Sequence, residues 1–298
     1  MTRVTALSLP APAKINLLLH ITGKRLDGYH QLQTLFQFLD LHDDLHFQLT
    51  NDGSIRLAPI LAGVAVEDNL VMRAAQLLAP FRKNHQLGVA INLQKNLPMG
   101  AGLGAGSSDA ATTLLALNLL WQLNLDLTQL AALGLQLGAD VPVFIFGQTA
   151  WAEGIGEQLQ SAKAEEATYV LIFPGCHCDT GSLFSHPDLP RNTPLIHPQN
   201  AQQHLGENDF EALVRRLYPA VEAAFVWLAA EHQHGYLTGS GASIYCRLDN
   251  PAQAEALLSR LPKGFAGYKP SAWVTKGCNQ SLAHVKLIEH KGSLLNFA

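Results

Sequence analysis

The chain has 298 residues, 48% of them hydrophobic and 15% charged, which is the composition of a globular protein of one or two domains and far from that of a disordered chain. Lys and Arg total 20 against 24 Asp and Glu, for a formal charge of -4, and the basic residues occur only in scattered pairs such as Lys24-Arg25 and Arg215-Arg216. A phosphate backbone needs a basic stripe, so nucleic acid is not an expected partner.

The opening "MTRVTALSLP" has too short an apolar core for a signal peptide, and Pro10 cuts it off. No run of about 18 apolar residues occurs, so no membrane association and a cytoplasmic protein are expected. "AKINLLLHI" (13–21) has the length and β-branched content of a strand. Period two puts Lys14, Asn16 and Leu18 on one face of it. "DDLHFQLT" (43–50) alternates at Leu45, Phe47 and Leu49, and the turn Asn51-Asp52-Gly53 predicts "SIRL" as its hairpin partner. Leu70, Ala74, Leu77 and Leu78 have helical spacing and predict a helix that ends near Pro80. "LGVAINLQ" then alternates at Val89, Ile91 and Leu93 as a strand.

A helix is predicted from about Ser108 to Trp121, and a second over "LTQLAALGLQLGAD", with Thr128 as N-cap and Gly138 as its stop. "VPVFIF" (141–146) is expected to be extended, and the polar "SAKAEEA" (161–167) to be a linker between domains. "TYVLIF" opens the second half as a strand. Four cysteines (Cys176, Cys178, Cys246, Cys278) are too few for a disulfide scaffold in a chain this long. "CHC" at 176–178 has no second Cys/His cluster to complete a tetrahedral set, so no metal is expected there. Phe210, Leu213, Val214 and Leu217 are helically spaced, with Pro219 as an interruption or a fresh start. "ASIYCRL" reads as a strand and "NPAQAEALLSRL" as a helix capped by Asn250, with Pro251 in its first turn. Strands and helices mix in both halves without strict βαβα alternation, which predicts an α+β protein of two domains.

"NLPMGAGLGAGSSDAA" (96–111) follows a predicted strand and leads into a predicted helix. A helix N-terminus directs free N–H groups and a positive dipole end at such a loop, and small residues let phosphate oxygens approach the backbone. Ser107 and Ser108 can cap the helix, donate to phosphate or ligate a metal ion. No lysine follows the glycines, so this is not a Walker A loop, and G-x-G-x-x-G fails in every register.

Taken together, "PAPAKINLLLHI", "PMGAGLGAGSSDAA" and "LTGSGASIY" resemble the three motifs of the GHMP kinases, in their order and at matching separations. "GYHQLQTLFQFLDLHDDL", "EDNLVMRAAQLL", "LGADVPVF", "AEGIGE", "DLPRNTP" and "NDFEALV" extend the resemblance toward one subfamily. It implies a two-domain GHMP kinase fold. Residues 1–160 would form a ribosomal-protein-S5-like α/β domain with a left-handed crossover, and residues 161–298 a ferredoxin-like α+β domain. It implies ATP-dependent phosphorylation of the 2-hydroxyl of a methylerythritol carried on cytidine diphosphate, in non-mevalonate isoprenoid biosynthesis. ATP and Mg²⁺ would be the cofactors, a small molecule the partner, and the protein a monomer or weak homodimer. A catalytically inactive nucleotide-binding homologue, or a kinase of another small alcohol, is the alternative.

The resemblance also carries roles to residues. Lys14 and Asp140 match the catalytic pair: a carboxylate near the acceptor hydroxyl can take its proton, and the lysine supports the charged carboxylate and the transferring phosphoryl group. Pro98, Met99, Gly100, Ala101, Gly102, Leu103 and Gly104, then Ala105, Gly106, Ser107 and Ser108, would wrap the ATP phosphates, with Asn69 and Leu70 at the adenine. Asn16, Tyr29, His30, Thr180 and Phe184, with Gly239 and Ser240 of the third motif, would bind the acceptor, Tyr29 and Phe184 by stacking on the cytosine. Ala101 and Ala105 stand where relatives often have glycine, and Asp109 where many have asparagine. Asp109 is a candidate metal ligand, while the metal ligands as a set are unknown. Glu153 and Glu157 fit the pattern and are expected to be solvated charges.

Overall fold

Strands β1 (Ala6–Lys24) and β2 (His30–Thr50) run antiparallel, joined by a turn in which the Arg25 N–H donates to the Tyr29 carbonyl at 2.7 Å and Gly28 takes φ 91°. The computed structural model describes residues 4–295; the first three residues of the opening and the last three of the chain lie outside it. The first half of β2 is buried from Gln33 to Leu39 with no alternation to read, because both of its faces are covered. Only its second half, 43–50, carries the period of a strand. Register shifts at Pro12/Lys14, Asn16/Leu18 and Ile21/Gly23 bend β1. The middle shift ends the simple alternation: Leu19, not Leu18, follows Lys14 and Asn16 on the cavity side.

The turn at 51–53 does not return as a hairpin. β3 (Ile55–Ala58) pairs in parallel with β4 (Gly88–Gln94), and β4 lies between it and β2. A parallel partner requires a crossover, which α1 (Leu70–Leu78) supplies, capped by the Asn69 side chain on the Val71 N–H. α2 (Ala105–Leu120) begins at Ala105 rather than Ser108, so Ser107 and Ser108 lie in its first turn and Gly104, at φ 68°, is the N-cap. α3 (Leu127–Leu135) is capped by Asp126, not Thr128, because Asp126 and Gln129 form a reciprocal capping box.

α4 (Val141–Phe146) is a helix where an extended segment was the expectation. Six consecutive apolar residues carry no period, and Pro142 sits in the first turn, where a missing N–H is harmless. β5 (Ala150–Glu153) pairs with β2, and β6 (Gln158–Ser161) with β5. Phe38, Phe47, Leu78, Ile91, Leu114 and Val143 share the core between these strands and helices.

The second half holds β7 (Thr168–Phe173), α5 (Thr180–Ser185), α6 (Glu211–Leu217) and α7 (Pro219–Ala230), with Pro219 starting a fresh helix. Then come β8 (Tyr236–Leu237), β9 (Ile244–Leu248), α8 (Pro251–Leu258), capped by Asn250, and β10 (Ser271–Cys278). The antiparallel order β10-β7-β9-β8, with helices between β7 and β8 and between β9 and β10, is the ferredoxin-like arrangement. β10 meets β2 at Gly277–Leu39 and Cys278–Phe38, so one sheet runs through both halves. α9 (Leu282–Leu295) returns to the first half, where Leu287 is buried in its core. Among the described residues no helix is long and apolar enough to cross a membrane.

Candidate active site

Three backbone segments converge at the middle of β1. The Lys14 N–H donates to the Leu103 carbonyl at 3.0 Å, the Ser243 N–H to Ala101 at 3.2 Å, and the Asn16 N–H to Thr238 Oγ1 at 3.0 Å. Gly100, Gly102 and Gly104 all take left-handed φ (63°, 77°, 68°), and Ala101 and Ala105 do not. The loop therefore needs glycine at alternate positions and tolerates a methyl between them. A Cβ on Gly102 would lie 2.5 Å from the Thr238 carbonyl, and one on Gly104 2.8 Å from the Phe144 ring. Leu103 is the exception in size because it points inward: it is buried with Ala101 and Ala105 and anchors the loop.

A cavity of about 470 Å³ opens at this junction. At one end the buried Lys14 Nζ donates to Asn16 Oδ1 at 2.8 Å and lies 3.4 Å from Asp140 Oδ2. Asn16 Nδ2 donates to Thr34 Oγ1, which donates to the Leu18 carbonyl, so the amide is held with its oxygen toward the lysine. Gly100, Gly102, Gly104 and Ser107 line the adjoining wall. Asp140 sits just before α4, partly exposed to the cavity.

The other end is aromatic. The His30 ring stacks on Phe184 at 4.9 Å and 22°, and Phe184 meets Phe210 edge-on. Arg191 Nε donates to His30 Nε2 at 3.1 Å, and the rest of its guanidinium is held by the carbonyls of Phe184, His186 and Leu189. His30 Nε2 is therefore an acceptor, and the ring proton belongs on Nδ1. Burial first, then the charges of Arg191 and Lys24, push the imidazole below its ordinary pKa. Tyr29 stands exposed at the rim, and Thr180 on α5 bonds Ser240 of the third motif at 2.6 Å, beside Gly239.

A smaller cavity of about 210 Å³ lies on the other side of the same loop, lined by Asn69, Leu70, Met99 and Gly106, and shares Gly100 with the first. Asp109 and Lys95 also face it; Lys95 Nζ lies 2.8 Å from Asp109 and in still closer contact with Asp43. Burial raises the Asp109 pKa to about 7, with Asp43 adding to the rise and Lys95 opposing it. Pro98, Ala101, Leu103, Ala105 and Ser108 line neither cavity, so only their backbone or packing reaches the site.

The sequence reading missed several contributors. Arg191 lies within "DLPRNTP", a segment it singled out without assigning a role. His177, in the "CHC" run, lines the main cavity against Gly100, while both neighbouring thiols are buried. Thr34 and Thr238 orient Asn16; they lie within the quoted segments "GYHQLQTLFQFLDLHDDL" and "LTGSGASIY", where neither was given a role. Glu153 and Glu157 are not merely solvated: Glu153 accepts from Gln33 and Trp151, and Glu157 from the Ile155 N–H.

Residues 69–148 match the model of the GHMP kinases N terminal domain, and residues 194–267 that of the GHMP kinases C terminal. A 4-diphosphocytidyl-2-C-methyl-D-erythritol kinase of Chromohalobacter salexigens is 51% identical over 290 residues, 95% of each chain. One of Marinomonas sp. is 48% identical over 284 residues, 95% of this chain and 91% of its own. A crystal structure of 4-(cytidine 5'-diphospho)-2C-methyl-D-erythritol kinase superposes with TM-score 0.75 at 33% identity, covering 91% of this chain and all of that one. A homoserine kinase from Cytophaga hutchinsonii, at 17% identity and TM-score 0.64, shares the fold. By fold, motif geometry and relatedness, the chain belongs to the GHMP kinase family, among its 4-diphosphocytidyl-2-C-methyl-D-erythritol kinases.

Proposed function

We propose that the chain transfers the γ-phosphoryl group of ATP to the 2-hydroxyl of 4-diphosphocytidyl-2-C-methyl-D-erythritol, the compound that the names of its relatives give for the kinases they describe. The observation that carries this reading is the composition of the main cavity: Lys14 and Asp140 at one end, and the His30–Phe184 pair with Tyr29 at the other. A cytosine ring suits the aromatic end, where Tyr29 and Phe184 offer faces for stacking and His30 an Nδ1–H for the polar edge of the base. Mevalonate and homoserine have no base to place there.

The acceptor hydroxyl lies against Asp140, its oxygen attacks the γ-phosphorus, the bond to the β–γ bridging oxygen breaks, and ADP leaves. Asp140 accepts the hydroxyl proton, while Lys14, steadied by Asn16, balances negative charge beside it. In a loose transition state little proton has moved, so holding the two oxygens in line is as large a part of Asp140's task. The backbone of 100–106 and the start of α2 cradle the phosphates, with adenine toward Asn69, Leu70 and Met99.

Mg²⁺ fits the chemistry on hand: it takes few protein oxygens beside phosphate oxygens, and Ser107 offers a hydroxyl at the start of α2 on the cavity wall. When bound, it would neutralise phosphate charge. Asp109 is turned toward Lys95 and the smaller cavity, which leaves it a poor candidate ligand. The division into domains at 160/161, a monomer or weak dimer, and a cytoplasmic location without nucleic acid complete the reading.

Transfer of labelled γ-phosphate in a single turnover, with homoserine and mevalonate as competing acceptors, tests it. Phosphorylation of the cytidyl substrate alone is expected. Transfer to another alcohol, or ATP binding without transfer, would overturn it.

A further inference from the structure

Away from the cavity, His20, His204 and Glu207 bring three ligand atoms within 4.8 Å of one another. His20 follows Leu19 on β1 and so points to the opposite face from the cavity. Its Nε2 lies 2.8 Å from Glu207 Oε2, and His204 Nδ1 lies 3.0 Å from the same oxygen. The two imidazoles meet edge-on with centroids 5.7 Å apart. We propose that these three side chains form a binding site for a zinc-class divalent cation.

Geometry and chemistry agree on the ion. Ligand atoms about 2.0 Å from a shared tetrahedral zinc lie about 3.3 Å from one another, so small side-chain shifts would close the site. Two imidazole nitrogens and one carboxylate select zinc and its transition-metal neighbours over magnesium or calcium, which prefer all-oxygen sets. Three protein ligands with one side open are the pattern of a site whose fourth position is water. That side exists: Glu207 is about half exposed and borders a wide surface cleft.

The backbone holds the ligands in place before any ion arrives. The Leu19 N–H donates to the Glu207 carbonyl at 2.8 Å, and the Asp209 N–H to the Leu19 carbonyl at 3.0 Å, so the Glu207 segment lies as a short extra strand beside β1. His20 itself is 2% exposed and Glu207 is the hydrogen-bond partner of its Nε2, so a cation there would replace that hydrogen bond by coordination to both side chains. An ion there would tie His204, at the end of the short 3-10 helix Pro198–His204, to β1. It would also stiffen Asn208, whose Nδ2 donates to the Leu237 and Gly239 carbonyls next to the cavity. The cation is thus a structural brace for the third motif, separate from any ion carried by the nucleotide.

The full chain, stripped with chelator, is titrated with Zn²⁺ by calorimetry, and its metal content is measured after dialysis. One zinc per chain is expected. His204→Ala and Glu207→Gln, both at partly exposed positions where folding is not at stake, should weaken it at least about tenfold, since even removing a residue behind a ligand costs about 10–100-fold. Cys178→Ser should leave binding unchanged, and the Co²⁺-loaded protein should show nitrogen and oxygen ligation without a thiolate band. No stoichiometric zinc in the wild type, unchanged affinity in both ligand variants, or a thiolate band lost with Cys178 would each overturn the proposal.

Discussion

Lys14 Nζ and Asp140 Oδ2 lie 3.4 Å apart, although one side chain comes from the middle of β1 and the other from the residue before α4. The closeness makes the pair a unit, with Asn16 fixing the lysine from the other side. Asp140→Asn keeps the shape and removes the proton acceptor. It should lower the single-turnover rate by about 10²–10⁴-fold while ATP affinity changes little. A fall of less than tenfold would leave Asp140 a positioning group only.

Gly104 and Gly106 make a matched pair of tests. Gly104→Ala puts a Cβ at φ 68° and within 3 Å of the Phe144 ring, close to Lys14 Cε as well. It should cost about 1–2 kcal/mol of stability from backbone strain alone and lower the transfer rate through Lys14. Gly106 has ordinary φ inside α2, and its added Cβ would meet only Leu70, at 3.4 Å. Gly106→Ala should be neutral or stabilise by up to roughly 1 kcal/mol in denaturant unfolding. Equal losses in both variants would mean that phosphate contact, not backbone conformation, sets the requirement.

Arg191 touches His30 through one nitrogen and three carbonyls through the others. Arg191→Ala frees the His30 ring to turn and to change tautomer without touching Lys14 or Asp140. Loss of about one hydrogen bond's worth of orientation predicts a roughly 5–10-fold higher KM for the cytidyl acceptor with kcat and the KM for ATP nearly unchanged. A fall in kcat alone would contradict the assignment.

Asp109 supplies a pH dependence with a definite sign. Its folded pKa, about 7, lies above the ordinary carboxylate value, so across the interval between them the native state keeps a proton that the unfolded chain has released. Its contribution to stability is complete below the unfolded value and is lost as pH rises through about 7. Asp109→Asn has no such proton. The stability of the variant relative to wild type should therefore rise from pH 5 to about pH 7 and level off by pH 8 in urea unfolding; a difference independent of pH would show that Lys95 holds Asp109 ionised throughout.

Elements with one covered face were legible. α8 with its Asn250 cap, and the alternating strands β4 and 43–50, follow from local pattern because each sets a buried face against an exposed one. Segments buried all round gave no such signal: the first half of β2 has no period, and six apolar residues at 141–146 read as extended when they form α4. The partner of β3 was equally hidden, since "SIRL" looks the same whether it closes a hairpin or joins β4 after a crossover.

The site divides the same way. By itself the sequence determined the glycine-rich loop, because glycine at alternate positions is a backbone requirement written into consecutive residues, and it singled out Lys14 and Asp140 as the candidate pair. Only the tertiary structure decided that His30 meets Phe184 and Arg191, that Thr238 and Thr34 orient Asn16, and that His20 meets His204 and Glu207. Those contacts join residues far apart along the chain. Their existence depends on which strand faces cover one another, and one register shift in β1 is enough to change that.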